Sequence, residues 1–300
     1  MSKNKTHACL VVDKSGSMHR NRQAVVDSFN EHIQQWKEDN KDENIDIDVS
    51  LITFNSNVFE HVWCVKPEEL EDATMEGYVP SGGTAARDGI GYAVDKFLTM
   101  DDANDEDVAY LFIILSDGDT NSDKIYGEGT KFSPMFKELI EGCRATGRWT
   151  FTYMADSEEN LQRFQKQSGI EIENMASYSA TNNEGTKFAM DNNLRASQKY
   201  MNMRKTGVKS CSAFHSEEVG RSACYDQSSE DQNIIKSIDV TKESFNPVDV
   251  KSEPVKAQVW NGTGWNPNLQ SRSMQQSAFG NSKKVLENGY TRPKHMLNKD

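Results

Sequence analysis

Two short, wholly apolar runs in this chain each end in a carboxylate. Ala8-Cys9-Leu10-Val11-Val12 leads into Asp13-Lys14-Ser15-Gly16-Ser17, and Ala109 to Leu115 leads into Ser116-Asp117-Gly118-Asp119. Runs of this kind, bounded by turn residues, read as buried strands that must be covered on both faces. The segments between and after them supply the cover. Val25, Phe29, Ile33 and Trp36 recur at helical spacing. Further helices are expected over Ala85 to Leu98, Lys131 to Ala145 (Phe132, Phe136, Leu139 and Ile140 inward), residues 158 to 168, and Thr186 to Arg204. Strands are expected over Ile45 to Phe54, Val58 to Val65, Trp149 to Met154 and Asn174 to Tyr178. Asn55-Ser56-Asn57 is short enough to close a hairpin, which places one antiparallel strand at the sheet edge. The alternation predicts an α/β fold: a doubly wound, mainly parallel sheet with one antiparallel edge strand and helices on both faces.

In an open parallel sheet, the loops at the carboxyl ends of the strands converge on one crevice. Here those loops carry Asp13, Ser15 and Ser17, then Thr84 at the end of Pro80-Ser81-Gly82-Gly83-Thr84, then Asp117. Gly16 is expected to let the backbone turn between the two serines. An all-oxygen set without thiol or imidazole selects a hard cation, with Mg2+ (or Mn2+) ahead of calcium because carboxylates are few. Taken alone, the first pentapeptide reads equally well as a Ser/Gly turn that caps a helix.

At these five positions the chain resembles the von Willebrand factor A (vWA) family, whose metal-ion-dependent adhesion site (MIDAS) is written Asp-x-Ser-x-Ser with a distant Thr and a distant Asp. The resemblance covers roughly residues 5 to 205. It implies that Ser15, Ser17 and Thr84 coordinate the ion, that Asp13 and Asp117 act largely by holding its water and hydroxyl ligands, and that an acidic side chain of a protein partner completes the coordination. It also implies a binding module, not an enzyme: an intracellular adaptor or regulator in a larger assembly, by family analogy beside a ring-shaped ATPase.

The net charge is −12, and because residues 206–300 carry 12 basic and 11 acidic residues, the acidity belongs to the first 205. An acidic surface argues against nucleic-acid binding. Lys14, His19, Arg20, Arg22 and Arg87 nevertheless cluster in sequence around the ligand positions, as a positive rim that steers an anionic partner or as ordinary solvated helix charge. Asp119, with Asn121 and Asp123, is a candidate auxiliary cation position. A calcium-loop reading of Asp117 to Glu128 fails because Ser122 stands where such a loop needs glycine. The five cysteines (Cys9, Cys64, Cys143, Cys211, Cys224) contain no C-x-x-C pair and suggest neither a zinc site nor a disulfide framework. His7, His19 and His32 fall into no catalytic motif. The apolar stretch after Met1 to Lys5 is too short for a signal or a membrane span, so a cytoplasmic location is expected, with no membrane partner.

Beyond residue 205 the periodicity fades, and a polar, flexible tail is expected over 206–300, its removal after Lys205 leaving stability almost unchanged. Val259-Trp260-Asn261-Gly262-Thr263-Gly264-Trp265 is a candidate hairpin or docking motif. The tail's acidic residues, such as Glu230 or Asp231, could alternatively fold back onto the metal. Two competing functions remain: a phage or bacterial structural or assembly factor acting through this tail, and a metal-dependent hydrolase. The hydrolase reading lacks a general base, since the residue two places after Asp13 is Ser15 and not a second carboxylate.

Overall fold

The computed structural model describes residues 3–130, 133–178 and 183–215, together with three strand fragments at 238–239, 251–252 and 291–293. Six strands form the main sheet: β1 (Asn4–Asp13), β2 (Ile45–Phe54), β3 (Val58–Val65), β4 (Ala109–Leu115), β5 (Trp149–Ala155) and β6 (Met175–Ser177). Their spatial order is β6-β5-β4-β1-β2-β3, and the fragment Lys251–Ser252 lies parallel to Phe59 and Glu60 of β3. All neighbours in the main sheet pair in parallel except β2 and β3, which form the expected hairpin. Asn55 closes it: its backbone N–H donates to Asn57 O at 2.9 Å, and its side chain accepts from Asn57 N at 3.0 Å.

The two-residue period of β1 divides the interior into two layers. Ala8, Leu10 and Val12 face α1 (Arg22–Asp39) and α5 (Asn183–Arg204), where Val25, Phe29, Ile33, Trp36, Tyr200 and Met201 pack. Cys9 and Val11 face α2 (Ala86–Leu98), α3 (Ser133–Ala145) and α4 (Glu158–Ser168), which contribute Ile90, Val94, Phe97, Phe136, Ile140 and Phe164. A strand with cover on both sides has no solvent face to leave polar, which is why Ala8 to Val12 of β1 and the whole of β4 read as unbroken apolar runs. In α3 Leu139 is only half-buried, and Phe132 lies outside the described residues.

The packed chain runs ten residues past the expected boundary at 205. Gly207 adopts φ 92°, a left-handed conformation suited to glycine, and turns the chain back along the sheet. Cys211 N then donates to Thr150 Oγ1 at 2.9 Å, Asn174 Nδ2 donates to Cys211 O at 2.9 Å, and Phe214 N donates to Asn174 Oδ1 at 2.7 Å. Phe214 and Cys211 are buried with the α1/α5 layer. Arg204 is fully buried, its guanidinium donating to Thr6 Oγ1 (2.9 Å), Lys5 O (2.8 Å), Val208 O (2.8 Å) and Asp107 O (3.2 Å). It ties the end of α5 to the start of β1. The Trp260–Trp265 motif and the acidic residues Glu230 and Asp231 lie outside the described residues.

Candidate metal centre

Asp13 is the last residue of β1, in register with Phe54, and its carboxylate is buried. Both of its oxygens accept: Oδ1 from Ser15 N at 2.6 Å and Oδ2 from Ser116 Oγ at 2.6 Å. The Tyr78 hydroxyl donates to the Asp13 carbonyl, and the Arg22 Nε to the Tyr78 carbonyl at 2.6 Å. From Asp13 the chain enters a 3₁₀ turn (Gly16–Asn21) that leads directly into α1. Ser15 Oγ lies 3.0 Å from Ser17 Oγ, and Ser17 Oγ donates to Asp117 Oδ1 at 2.7 Å. Asp13, Ser15, Ser17 and Asp117 are therefore joined in one hydrogen-bonded chain across the ends of β1 and β4, and of the four only Ser17 is an exposed residue.

The Thr84 loop is stitched to this chain through the backbone. Ser81 N donates to Lys14 O at 2.8 Å and Gly16 N to Gly82 O at 3.0 Å. Asn121 Oδ1 accepts from Thr84 N at 3.0 Å. Among the described residues no hydrogen bond joins the Thr84 hydroxyl to the other four side chains. The glycine requirement falls on a different loop from the one expected. Gly16 lies outside the left-handed region and has ordinary room for a Cβ, whose nearest neighbour would be Gly82 O at 3.5 Å. Gly82 adopts φ 77°, and a Cβ on Gly83 would meet Ser122 Oγ at 2.1 Å.

Two groups of expected site residues are placed elsewhere. Lys14 is buried over the Phe59 ring, 4.7 Å from its centroid. Arg87 is buried in an ion pair with Asp123 at 2.9 Å. Neither reaches the surface, whereas His19 and Arg20 are exposed on the 3₁₀ turn. The auxiliary cation position does not assemble either, because its members are already engaged. Asp119 pairs with Arg163 of α4. Asp123 accepts from Arg87, Thr120 Oγ1 and Asp88 N, and Asn121 holds the Thr84 backbone. Ser116 and Tyr78 are the supports that the sequence reading left without a role; the only signal for Ser116 is its place at the tip of β4, immediately before Asp117.

Burial pushes the Asp13 carboxyl up to about 7 against the hydrogen bonds from Ser116 and Ser15, and it raises Asp117 as well, helped by the nearby Asp156 charge. A cation beside these groups would offset that penalty, so the donor chemistry fits a hard ion: two carboxylates and three hydroxyls. Among the described residues no three His, Cys, Asp or Glu side chains group as a metal cluster. The metal-free protein has a predictable pH response. Between the unfolded value of 3.8 and about 7, the folded state holds a proton on Asp13 that the unfolded chain releases. This stabilisation is complete below pH 3.8 and is lost as pH rises to about 7. The expected loss is at most of the order of 4 kcal/mol. Melting curves in chelator should show the decline in the wild type relative to Asp13→Asn; parallel pH profiles for the two would contradict it.

The solved structures that this chain resembles are similar to it only at low identity. The pilus adhesin SpaC of Lactobacillus rhamnosus GG, in its open conformation, is 14% identical at a TM-score of 0.48, covering 67% of this chain and 31% of that one. A von Willebrand factor type A protein from Catenulispora acidiphila is 12% identical at a TM-score of 0.43, covering 68% and 43%. Proximal thread matrix protein 1 of the mussel byssus, with a zinc-occupied MIDAS motif, is 14% identical at a TM-score of 0.45, covering 65% and 46%. The chain thus spans less than half the length of each of the three. Among curated proteins none matches the sequence. The model of the von Willebrand factor type A domain matches residues 9–202, which take in every strand of the main sheet except the first residues of β1, and the chain belongs to that family.

Proposed function

We propose that the chain is a protein-binding module whose contact is made through a divalent cation, Mg2+ or Mn2+, held by Ser15, Ser17 and Thr84 and oriented by Asp13 and Asp117. The observation that carries this reading is the hydrogen-bonded chain from Asp13 through Ser15 and the exposed Ser17 to Asp117. Asp13, with both oxygens committed to Ser15 and Ser116, holds the loop in shape and supplies negative charge without occupying the ion's outward face. When bound, the ion would supply an electrophilic position for a carboxylate of the partner. Arg20, exposed with His19 on the 3₁₀ turn that carries Ser17, favours an acidic approach. Binding, not catalysis, suits this arrangement, since among the described residues no histidine hydrogen-bonds to Ser15 or Ser17. An adaptor role inside a cytoplasmic assembly, with a ring-shaped ATPase as one kind of partner, belongs to the same proposal and rests on the family alone. No helix among the described residues is long and apolar enough to cross a membrane.

Affinity capture from the native host tests the reading. A partner retained in magnesium is expected to be released by chelator and to be missing with Ser17→Ala, a substitution at an exposed position that leaves the Asp13 hydrogen bonds in place. Equal capture in chelator, or by the Ser17→Ala protein, would reject a metal-mediated contact.

A further inference from the structure

At the opposite end of the sheet, His7, Cys64 and Met100 converge. His7 lies six residues before Asp13 along β1, hence about 20 Å from it. Cys64 Sγ is 3.7 Å from His7 Nδ1 and 3.8 Å from Met100 Sδ. We propose that these three side chains form a second metal site, selective for monovalent copper and unrelated to the magnesium centre.

Three features of the geometry support it. The two separations from Cys64 Sγ suit a shared ion: with metal–nitrogen distances near 2.0–2.1 Å and metal–sulfur distances near 2.3 Å, donors in a trigonal or tetrahedral arrangement sit roughly 3.6–4.0 Å apart. His7 is oriented as metal-bound histidines are. Its Nε2 lies 3.0 Å from Asp102 Oδ2, so the proton belongs on Nε2 and the Nδ1 lone pair faces the cysteine. The ring is fully buried and further held between Phe97 and Tyr110, with centroids at 5.3 and 5.5 Å. Cys64 itself is re-aimed by the backbone. Its φ is 50°, the one positive value among the described non-glycine residues, and it follows a pairing irregularity between β2 and β3. Bulges of this kind redirect a side chain out of the alternating pattern. Here Cys64 N donates to Ser50 Oγ at 3.0 Å in place of a ladder bond.

The choice of ion follows from donor softness and charge. A thiol, a thioether and an imidazole suit Cu(I), whereas zinc is bound by thiolate, imidazole and carboxylate ligands. Binding replaces the Cys64 S–H with an S–Cu bond and releases one proton to solvent; the resulting thiolate–Cu(I) pair is neutral, which a largely buried position tolerates. Asp48 does not complete a zinc-type set although its Oδ2 is 3.6 Å from His7 Nδ1, because Lys66 holds its other oxygen at 2.6 Å and Lys5 lies 3.3 Å from Oδ2. The same surroundings disfavour a catalytic thiol. Burial pushes Cys64 up to about 12, with Asp48 and Asp102 adding to the rise, so the free thiolate is scarce at neutral pH.

The test is an anaerobic Cu(I) titration of the full chain against a competing chromogenic chelator, in a Cys224→Ser background because Cys224 lies outside the described residues. One equivalent is expected to bind. Adding Cys64→Ser should abolish it, and Met100→Leu, which preserves volume, should weaken it at least tenfold without changing the far-ultraviolet circular dichroism. X-ray absorption of the loaded protein should show two sulfur ligands and one imidazole. Retained Cu(I) binding after Cys64→Ser, unchanged affinity after Met100→Leu, or zinc binding that is as tight as Cu(I) and is lost with Cys64→Ser would each overturn the assignment.

Discussion

Truncation after Lys205 is expected to lower the melting midpoint by ten degrees or more, while truncation after His215 keeps every contact described for the domain's end. The shorter protein loses Phe214, which is 2% exposed, and with it about 1.5–3 kcal/mol of apolar burial. It also strands Asn174, whose buried side chain donates to Cys211 O and accepts from Phe214 N. A buried polar group left without partners costs about 1–3 kcal/mol. Arg204 loses its bond to Val208 O, and Thr150 Oγ1 loses the Cys211 N–H. Together these terms approach 5 kcal/mol, and in a domain of this size each kcal/mol shifts the midpoint by about 2–4 °C. Scanning calorimetry of the two truncations decides the matter. Equal midpoints would mean that the segment from Ser210 to Phe214 contributes nothing to the fold, as its composition alone suggested.

Asp13→Ala should weaken magnesium binding at least a hundredfold. The carboxylate supplies one of the site's two negative charges, and it also fixes the loop by accepting from Ser15 N and Ser116 Oγ. Losing both roles removes the charge and frees the serines from their positions. The fold should survive. Replacing a carboxyl that burial has already pushed up to about 7 relieves a desolvation penalty, and this offsets part of the cost of unpairing Ser116 and Ser15 N–H. Titration calorimetry with magnesium, paired with a melting curve, separates loss of binding from loss of structure. An unchanged affinity in a folded Asp13→Ala protein would remove Asp13 from the site.

The resemblance to a metal-dependent adhesion site was legible because its residues sit beside features that announce themselves locally. Asp13 and Asp117 follow apolar runs whose strand character is visible over a few residues, and a parallel sheet then brings such strand tips together whatever lies between them. Burial of individual polar groups is not local in this sense. By sequence Lys14 falls in a positive rim, yet its burial depends on Phe59 in the neighbouring hairpin. Arg87 falls beside it, yet Asp123, 36 residues away, neutralises it inside the protein. Asp119 reads as a candidate ligand, yet α4 presents Arg163 to it.

What the sequence by itself determined is the layered α/β fold and the identity of the loops at its carboxyl ends, because period and apolar content act over short distances and require particular cover. What only the tertiary structure decided is where the domain ends, which charges reach solvent, and that His7, Cys64 and Met100 meet. Residues 206–215 have no period to read; they belong to the domain through single contacts, such as Phe214 against the core and two hydrogen bonds to Asn174. The three soft donors lie 57 and 36 residues apart and are joined by a bulge, an irregularity in pairing that exists only once β2 and β3 are side by side.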